Sequence, residues 1–589
     1  MQQKPSLSIS ARTFLGHVWQ LSRPYWFSEE RWIARGLLAA VVVLNLGTVY
    51  ITVQVTEWQR LFFNALQDKN FPEFTQQLLR FSVLAAIFIL IAVYQLYLNQ
   101  MLQIRWRRWL TEVYLRDWLS DRVYYRLELK DYGTDNPDQR IAQDLQIFAG
   151  SSLSLTLGLL NSVVTLISFI AILWLLSGSL TVTVLGSEIS IPGYMVWIAL
   201  IYAVAGSYLT HKIGRPLIGL NFNQQRFEAD FRFSLVRLRE NSEGIALYGG
   251  EQGEQAGLLA TFGRVWLNWW ALMKYQKRLT WFTAGYGQIA IIFPILVAAP
   301  RYFASVIQMG ELMQTSSAFG QVQGALSWFI DAYTQLAEWK ASVERLTGFH
   351  RAIQEARQQA HSGQGIAVVA NDGETLAVRD LDLALPDGRL LLKNANFSLS
   401  AGERVLLAGP SGSGKSTLIR AVAGIWPFGK GRVDRPAEGR VLFLPQKPYL
   451  PIGSLRTAVS YPATGGTFDD GALVEALRDC RLEHFGDQLD EVRPWARAMS
   501  PGEQQRLAFA RALLHKPAWL FLDEATSALD EATERHLYGL ILDRLPETTL
   551  LSIAHRPAVA VHHERQLSLV AGGGHMRLIA GVETAAALG

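Results

Sequence analysis

The chain has 589 residues, more than one hydrophobic core supports, since cores stop growing near roughly 250–300 residues, so two or three domains are expected. Its 55 Lys and Arg against 51 Asp and Glu leave a net charge of +4, which gives no support for nucleic-acid binding as a main role. A single cysteine, Cys480, excludes an intramolecular disulfide and any multi-cysteine metal site, and reads as a small apolar residue of the interior.

Residues 1–32 carry Lys4, Arg12 and Arg23 on interrupted apolar sequence with no small-residue cleavage pattern, and read as a cytoplasmic segment rather than a signal or transit peptide. The next stretch, 33–340, is dominated by long uncharged runs. A spanning helix needs about 20 mostly apolar residues, and five segments meet this: Ile33 to Val55, Leu79 to Leu98, Leu153 to Leu176, Pro192 to Thr210 and Leu279 to Ala299. A sixth, Leu312 to Ala337, is interrupted by Gln321, Gln323, Asp331 and Gln335, as a helix lining a polar cavity would be; an amphipathic cytoplasmic helix is the other reading. Asp331 either faces that cavity or pairs with a basic neighbour near the membrane edge.

Arginines and lysines crowd the second-to-third and fourth-to-fifth connections and are missing from Ser177 to Ile191, which places both long connections and both termini in the cytoplasm. Trp32, Trp58, Trp197, Trp281 and Trp339 lie near span ends, where an indole suits the headgroup layer. The two connections read as helical hairpins broken near Tyr132 to Pro137 and near Glu243-Gly244 and Tyr248 to Gly250. Asn136, Asp138 and Arg140 at the first break, and Glu243 and Gly244 at the second, are the expected contacts through which a motor domain grips the membrane domain. The plainer reading of the first is a turn with Pro137 as helix breaker.

Residues 354–374 turn polar and glycine-containing and read as a linker; 375–589 then shows mixed αβ patterning. The strand RVLLAG runs into Gly409, Pro410, Ser411, Gly412, Ser413, Gly414, Lys415, Ser416 and Thr417, and an apolar-periodic helix follows. This is G-x-x-x-x-G-K-[ST] in its strand-loop-helix context: glycines turn backbone N–H groups toward phosphates, Lys415 reaches the β and γ phosphates, and the Ser416 hydroxyl suits Mg²⁺. The buried strand AWLFLDE ends in Asp523, suited to the Mg²⁺ shell, and Glu524, suited to a base that orients the attacking water; a strand-end ion-pair role is the nonenzymatic reading. Gln446 follows the strand RVLFLP and joins Ser416 and Asp523 in the expected Mg²⁺ set. The strand TLLSIA ends at His555, placed to contact a γ-phosphate, although a lone histidine is more often structural.

The order GPSGSGKST, Gln446, MSPGEQQR, LFLDEATSALD and His555 resembles a complete ABC-transporter nucleotide-binding domain across about residues 375 to 571. The resemblance implies roles for Gln446 as the Q-loop, Ser500, Gly502 and Glu503 as signature residues facing a nucleotide, Asp530 closing the D-loop, Glu524 as catalytic base and His555 as the switch histidine. The signature departs from LSGGQ at Met499, Pro501 and Glu503, and Ser500-Pro501-Gly502-Glu503 has the pattern of a helix capping box. The aromatic residue usual ahead of the phosphate loop is missing from LDLALPDGRLLL, which leaves the adenine contact open.

NPDQRIAQD, RFEADFRFSLVRLRENSEGIALYGGE, GIWPFGKGRV and LFLPQKPYLPIGSLR resemble the SbmA/BacA-like group and the related peroxisomal family D transporters. What this implies is an all-α six-helix transmembrane domain of the exporter type followed by an α/β P-loop ATPase, working with ATP and Mg²⁺ as a homodimer in a bacterial inner membrane. The group includes importers of peptides and cobalamin, and family D members move fatty acyl-CoA. An exporter of lipid or drug-like solutes, or a membrane ATPase that senses without transport, are the alternatives.

Overall fold

The structure, a computed structural model, describes residues 11–129, 136–184, 187–361, 365–371, 375–436, 441–554, 556–572 and 574–580. The chain divides into two compact units, residues 1–116 with 134–351, and residues 117–133 with 352–589.

In chain order the helices are α1 (Ala11–Trp26), α2 (Arg31–Gln67), α3 (Phe71–Leu119), α4 (Val123–Leu129), the single turn α5 (Pro137–Gln139) and α6 (Leu145–Ser177). The hairpin β1 (Ser179–Val184) and β2 (Ser187–Pro192) follows, then α7 (Tyr194–Glu240), α8 (Ser242–Tyr248), α9 (Glu251–Phe303), α10 (Met309–Asp331) and α11 (Tyr333–His361). Five helical stretches are long and apolar enough to cross a membrane: Arg31–Gln67, Phe71–Leu129, Pro137–Ser177, Tyr194–Glu240 and Glu251–Phe303. At about 1.5 Å per residue the 53 residues of α9 extend about 80 Å, more than twice the ~30 Å hydrocarbon layer, so spans and their extensions are single helices.

The sixth expected span is α10, 23 residues long, and its polarity has a packing explanation. Its Ala318, Phe319 and Val322 are buried against Phe169 and Leu173 of α6 and Tyr194, Met195 and Ala199 of α7, so protein rather than lipid surrounds that face. Its start is bonded by α2: Gln67 and Asn64 accept the Met309 and Gly310 N–H groups at 2.7 and 2.8 Å, and Gln314 donates to Glu57 at 3.1 Å. A Cβ on Gly310 would stand 2.0 Å from the Arg60 carbonyl oxygen, so only glycine admits this approach. The helix closes at Asp331, whose side chain lies outside the described residues; Gln323 bonds Ser327 in its own helix at 3.0 Å, and Gln335 bonds Ser154 of α6 at 3.1 Å. Helices α7 and α9 are joined by Tyr202 and Tyr286, stacked at 4.3 Å, each hydroxyl donating to the other's carbonyl.

The second unit is built on a ten-stranded sheet. Its strands are β3 (Ile366–Asn371), β4 (Thr375–Ala384), β5 (Leu390–Ser400), β6 (Arg404–Ala408), β7 (Gly429–Pro436), β8 (Val441–Leu444), β11 (Trp519–Asp523), β12 (Thr549–Ile553), β13 (Arg565–Gly572) and β14 (His575–Ala580), with β9 (Gly453–Ser454) and β10 (Val492–Arg493) paired apart from it. The order is β3-β7-β4-β5-β14-β13-β6-β12-β11-β8, and β13, β6, β12, β11 and β8 are parallel. Central parallel strands are covered on both faces, which is why β11 reads Trp-Leu-Phe-Leu with all four residues buried. Its helices are α12 (Lys415–Val422), α13 (Leu455–Ser460), α14 (Asp470–Asp479), α15 (Trp495–Ala498), α16 (Pro501–His515) and α17 (Glu531–Arg544). A separate core of Leu455, Leu473, Leu477, Trp495 and Leu507 holds α13 to α16 together as a helical lobe.

Where composition suggested a linker at 354–374, the chain is helical to His361 and then pairs β3 in parallel with β7 at the sheet edge. The unit also recruits α4, 220-odd residues upstream in sequence: Leu129 packs on the sheet core, and the Arg122 guanidinium donates to the Ala423 carbonyl at 2.9 Å, at the end of α12. Arg357 of α11 bonds Asp117 at 3.0 Å and also Ser120, holding a turn in which Asp121 and Arg122 are both left-handed.

Candidate functional site

The loop from Gly409 to Gly414 joins β6 to α12 and takes left-handed or strained φ values at Gly409 (153°), Gly412 (75°) and Gly414 (93°). A Cβ at Gly409 would stand 3.0 Å from the Leu569 Cβ, so the loop is pressed against β13 and turns its open side outward. Pro410, Ser411 and Gly412 are exposed, Gly414 and Thr417 half-buried. Lys415 curls back over the loop, its ammonium donating to the Gly409 and Pro410 carbonyls at 2.8 and 2.9 Å. Burial pulls the Lys415 pKa down, against the raising pull of the Glu524 and Asp523 carboxylates. The Ser413 hydroxyl is buried and has no hydrogen-bond partner among the described residues. A glycine-rich turn ahead of a helix, an ammonium bonded to two loop carbonyls, and a buried hydroxyl with no partner among the described residues fit a phosphate chain.

The carboxylates come from the end of β11. Ser416 donates to Asp523 Oδ1 at 2.8 Å, so the hydroxyl and carboxylate expected around Mg²⁺ already meet. Burial raises the Asp523 pKa, the Ser416 hydroxyl lowers it, and the neighbouring Glu524 charge raises it again. Glu524 stands at φ 51°, rare for a side chain of its size, with its N–H bonded to Ile553 O at 3.1 Å and its carbonyl to Ser527 N at 3.1 Å. Gln446 donates to Glu524 Oε2 at 3.0 Å. The structure therefore gathers Lys415, Ser416, Gln446, Asp523 and Glu524 at one place.

The signature residues stand elsewhere in the same unit. Ser500 caps α16: its hydroxyl accepts the Glu503 N–H at 3.3 Å, and the Glu503 carboxylate accepts the Ser500 N–H at 2.8 Å, with Pro501 at the first helical position. Burial alone would raise the Glu503 pKa, but Ser500, His484 and Arg506 together hold it below the usual range. Gly502 lies against the D-loop, where a Cβ would stand 3.2 Å from the Ala528 carbonyl oxygen. Asp530 has both carboxylate oxygens taken up in capping α17, by Thr533 N at 2.8 Å and Thr533 Oγ1 at 2.9 Å. His555 lies outside the described residues.

One residue that motif reading passed over links these parts. Gln505, buried on α16, donates to the Gln446 carbonyl at 3.0 Å and to Ser527 Oγ at 3.1 Å, and accepts the Ala528 N–H at 2.9 Å. Its only sequence signal is the doubled glutamine of GEQQR. At the open adenine contact, Leu391 of β5 lies against Gly414, 3.9 Å from where a Cβ would stand.

The expected coupling residues lie in the first unit. Asn136 is exposed and left-handed ahead of Pro137, and Asp138 is exposed on the same turn. Arg140 is buried: it pairs with Asp144 at 2.9 Å across a wide turn at Arg140–Asp144, and Arg345 of α11 grips the same carboxylate at 2.9 and 2.5 Å. Glu243 is exposed and Gly244 half-buried on α8, which ends in Leu247 and Tyr248, 80% and 93% exposed.

The chain matches the family described as ABC transporter transmembrane region 2 over residues 22–303 and the family described as ABC transporter over residues 392–527. It is 34% identical to the inner membrane ABC transporter ATP-binding protein YddA of Escherichia coli K12, covering 94% of this chain and 97% of that one. It is also 34% identical to the chloroplastic ABC transporter D family member 2 of Arabidopsis thaliana, covering 96% and 87%. A solved bacterial Atm1-family ABC exporter with ATP bound superposes with a TM-score of 0.71 over 92% of this chain and 94% of that one, at 17% identity, and shares the exporter-type fold. With an ATP-binding domain fused behind a helical membrane domain, the chain belongs to the ABC transporters as a half-transporter related to family D, an ATPase coupled to transport across a membrane.

Proposed function

We propose that two copies pair in a bacterial inner membrane, with termini and ATPase units in the cytoplasm, so that each ATP lies between the phosphate loop of one copy and Ser500 and Gly502 of the other. The observation that carries the chemistry is the meeting of Ser416 with Asp523 at 2.8 Å and of Gln446 with Glu524 at 3.0 Å beside the loop. Bound Mg²⁺ would neutralise phosphate charge, and Ser416 and Asp523, with Gln446 at their edge, are the groups to hold it. Glu524 takes the proton of the attacking water, Gln446 fixes the direction of its carboxylate, and Lys415 exchanges two loop carbonyls for phosphate oxygens. His555 is assigned the γ-phosphate contact on its motif alone. Pairing is supported by the signature cap, whose Ser500 is exposed and bonded within its own helix turn. The basic cytoplasmic connections support the orientation. Lys415→Ala should weaken nucleotide binding itself; unchanged ATP affinity in that variant would remove the phosphate role.

We infer that the exposed Asp138 and Glu243 couple ATP turnover to transport. The double variant Asp138→Ala, Glu243→Ala should keep basal ATPase and lose transport, and full transport would refute the assignment. Arg140 belongs to the buried ion cluster instead and reports on folding. The solute reading, uptake of a peptide or a cobalamin-like amphipathic molecule, is supported by the resemblance to importers. Cells lacking the protein should take up less labelled cobalamin or proline-rich peptide; unchanged uptake with reduced efflux of lipid would reverse the direction.

A further inference from the structure

Helices α7 and α9 lie side by side, and Gly214 faces Leu279, whose Cδ2 is 3.7 Å from where a Cβ would stand. That contact marks the level where the apolar runs of both helices stop, since one ends at Thr210 and the other begins at Leu279. At this level Lys212 and Arg215 on α7, and Lys274, Lys277 and Arg278 on α9, are all exposed. No acidic residue occurs in α7 before Glu228 or in α9 after Glu254, and none of the five cations enters an ion pair among the described residues. Basic side chains gathered at this level of the two helices, with no carboxylate partner among the described residues, attract an anionic surface.

At the same level α9 carries a groove of about 460 Å³, lined by Trp269, Met273, Gln276, Lys277, Trp281 and Ala284. Lys277 is its one charged lining residue and lies midway along it, with apolar walls on either side. Trp270 and Trp281, 55% and 77% exposed, flank the cations, and indoles prefer the headgroup layer. An apolar trough crossed by a cation at the depth of the headgroups matches an amphiphile with a negative head and a hydrocarbon tail.

We propose that the face of α9 turned away from α7 binds an anionic phospholipid, its phosphate among Lys274, Lys277 and Arg278 and an acyl chain along the groove past Trp281. The site rests on the spans alone and holds for either direction of transport. The test uses the full-length protein in nanodiscs of phosphatidylcholine with and without phosphatidylglycerol, reading retained lipid by native mass spectrometry. Wild-type protein should retain phosphatidylglycerol over phosphatidylcholine, with the preference falling as salt rises, and Lys274→Gln, Lys277→Gln, Arg278→Gln should cut it about tenfold or more. Lys277→Arg should keep it. Equal retention by the triple variant and wild type overturns the site, as does a triple variant that keeps its lipid and loses dimerisation, which assigns the face to a second copy. If the triple variant does not fold, a photoactivatable phosphatidylglycerol on wild-type protein should label residues 266–284; labelling confined elsewhere overturns the proposal.

Discussion

In the ATPase unit, contacts such as Ser416 to Asp523 at 2.8 Å and Gln446 to Glu524 at 3.0 Å fall among the motif residues beside the phosphate loop. In the membrane unit, a buried charge cluster of Arg140, Asp144 and Arg345 falls where α6 begins against α11, ahead of the apolar run from Leu153. Phosphate chemistry needs particular atoms at particular points, so it dictates residue identity. Solvation by lipid needs only an average composition, so it dictates length and hydropathy and leaves identity to the joints.

The sharpest break between the units should come from Glu524→Gln. Removing the proposed base while keeping its shape and its bond to Gln446 should cut the rate of phosphate release at least about 100-fold, with nucleotide affinity little changed. Substitution of one apolar residue for another along α3 should do nothing comparable, and a similar loss there would erase the contrast. Next comes Asp144→Asn, which leaves two guanidinium groups without their shared carboxylate, Arg140 fully buried. A cost of about 3–5 kcal/mol is expected, read as a lower thermal midpoint in detergent, against less than about 0.5 kcal/mol for the exposed Asp138→Ala.

A third test uses pH. Burial holds the His563 ring pKa down at about 4, with its two nitrogens bonded to Val559 O at 2.9 Å and Ser552 Oγ at 2.8 Å. The unfolded chain takes up this proton below about pH 6.5 and the folded chain does not until about pH 4. Stability should therefore fall with pH through that window by up to about 1.4 kcal/mol per unit from this group, and His563→Gln should flatten the fall. A modest effect is expected from Ser500→Ala, which removes the α16 cap and costs about 1 kcal/mol in unfolding experiments. A much larger loss of ATPase than of stability in that variant would support its proposed contact with nucleotide on a second copy.

Most of the nucleotide site was legible because each motif couples a backbone signal to a side chain: glycines before Lys415, a buried run before Asp523, serine and proline before Glu503. Gln505 escaped because its partners are two main-chain groups and one hydroxyl of other loops, which no spacing rule encodes. Asp144 escaped for a related reason, since one of its cations, Arg345, is 201 residues away. Five spans were visible as apolar runs, while α10 read weakly because its neighbours are helices. Residues 366–371 passed for linker because a short edge strand flanked by glycine and polar residues carries little periodic signal. The connection from Ser177 to Ile191, marked in the sequence only by its lack of basic residues, carries the paired strands β1 and β2.

The ATPase unit also imposes an order on synthesis. Residues 117–129 leave the ribosome early, yet Arg357, which holds their turn, and the sheet core under Leu129 are made only after roughly 220 further residues. At about 5–20 residues per second the gap is roughly 10–45 s, during which α4 waits unpartnered while the intervening spans are inserted. A nucleotide-binding fragment begun at the first strand of the motif region would be missing this piece altogether, and its exposed apolar edge would make it prone to aggregate where the full chain is not.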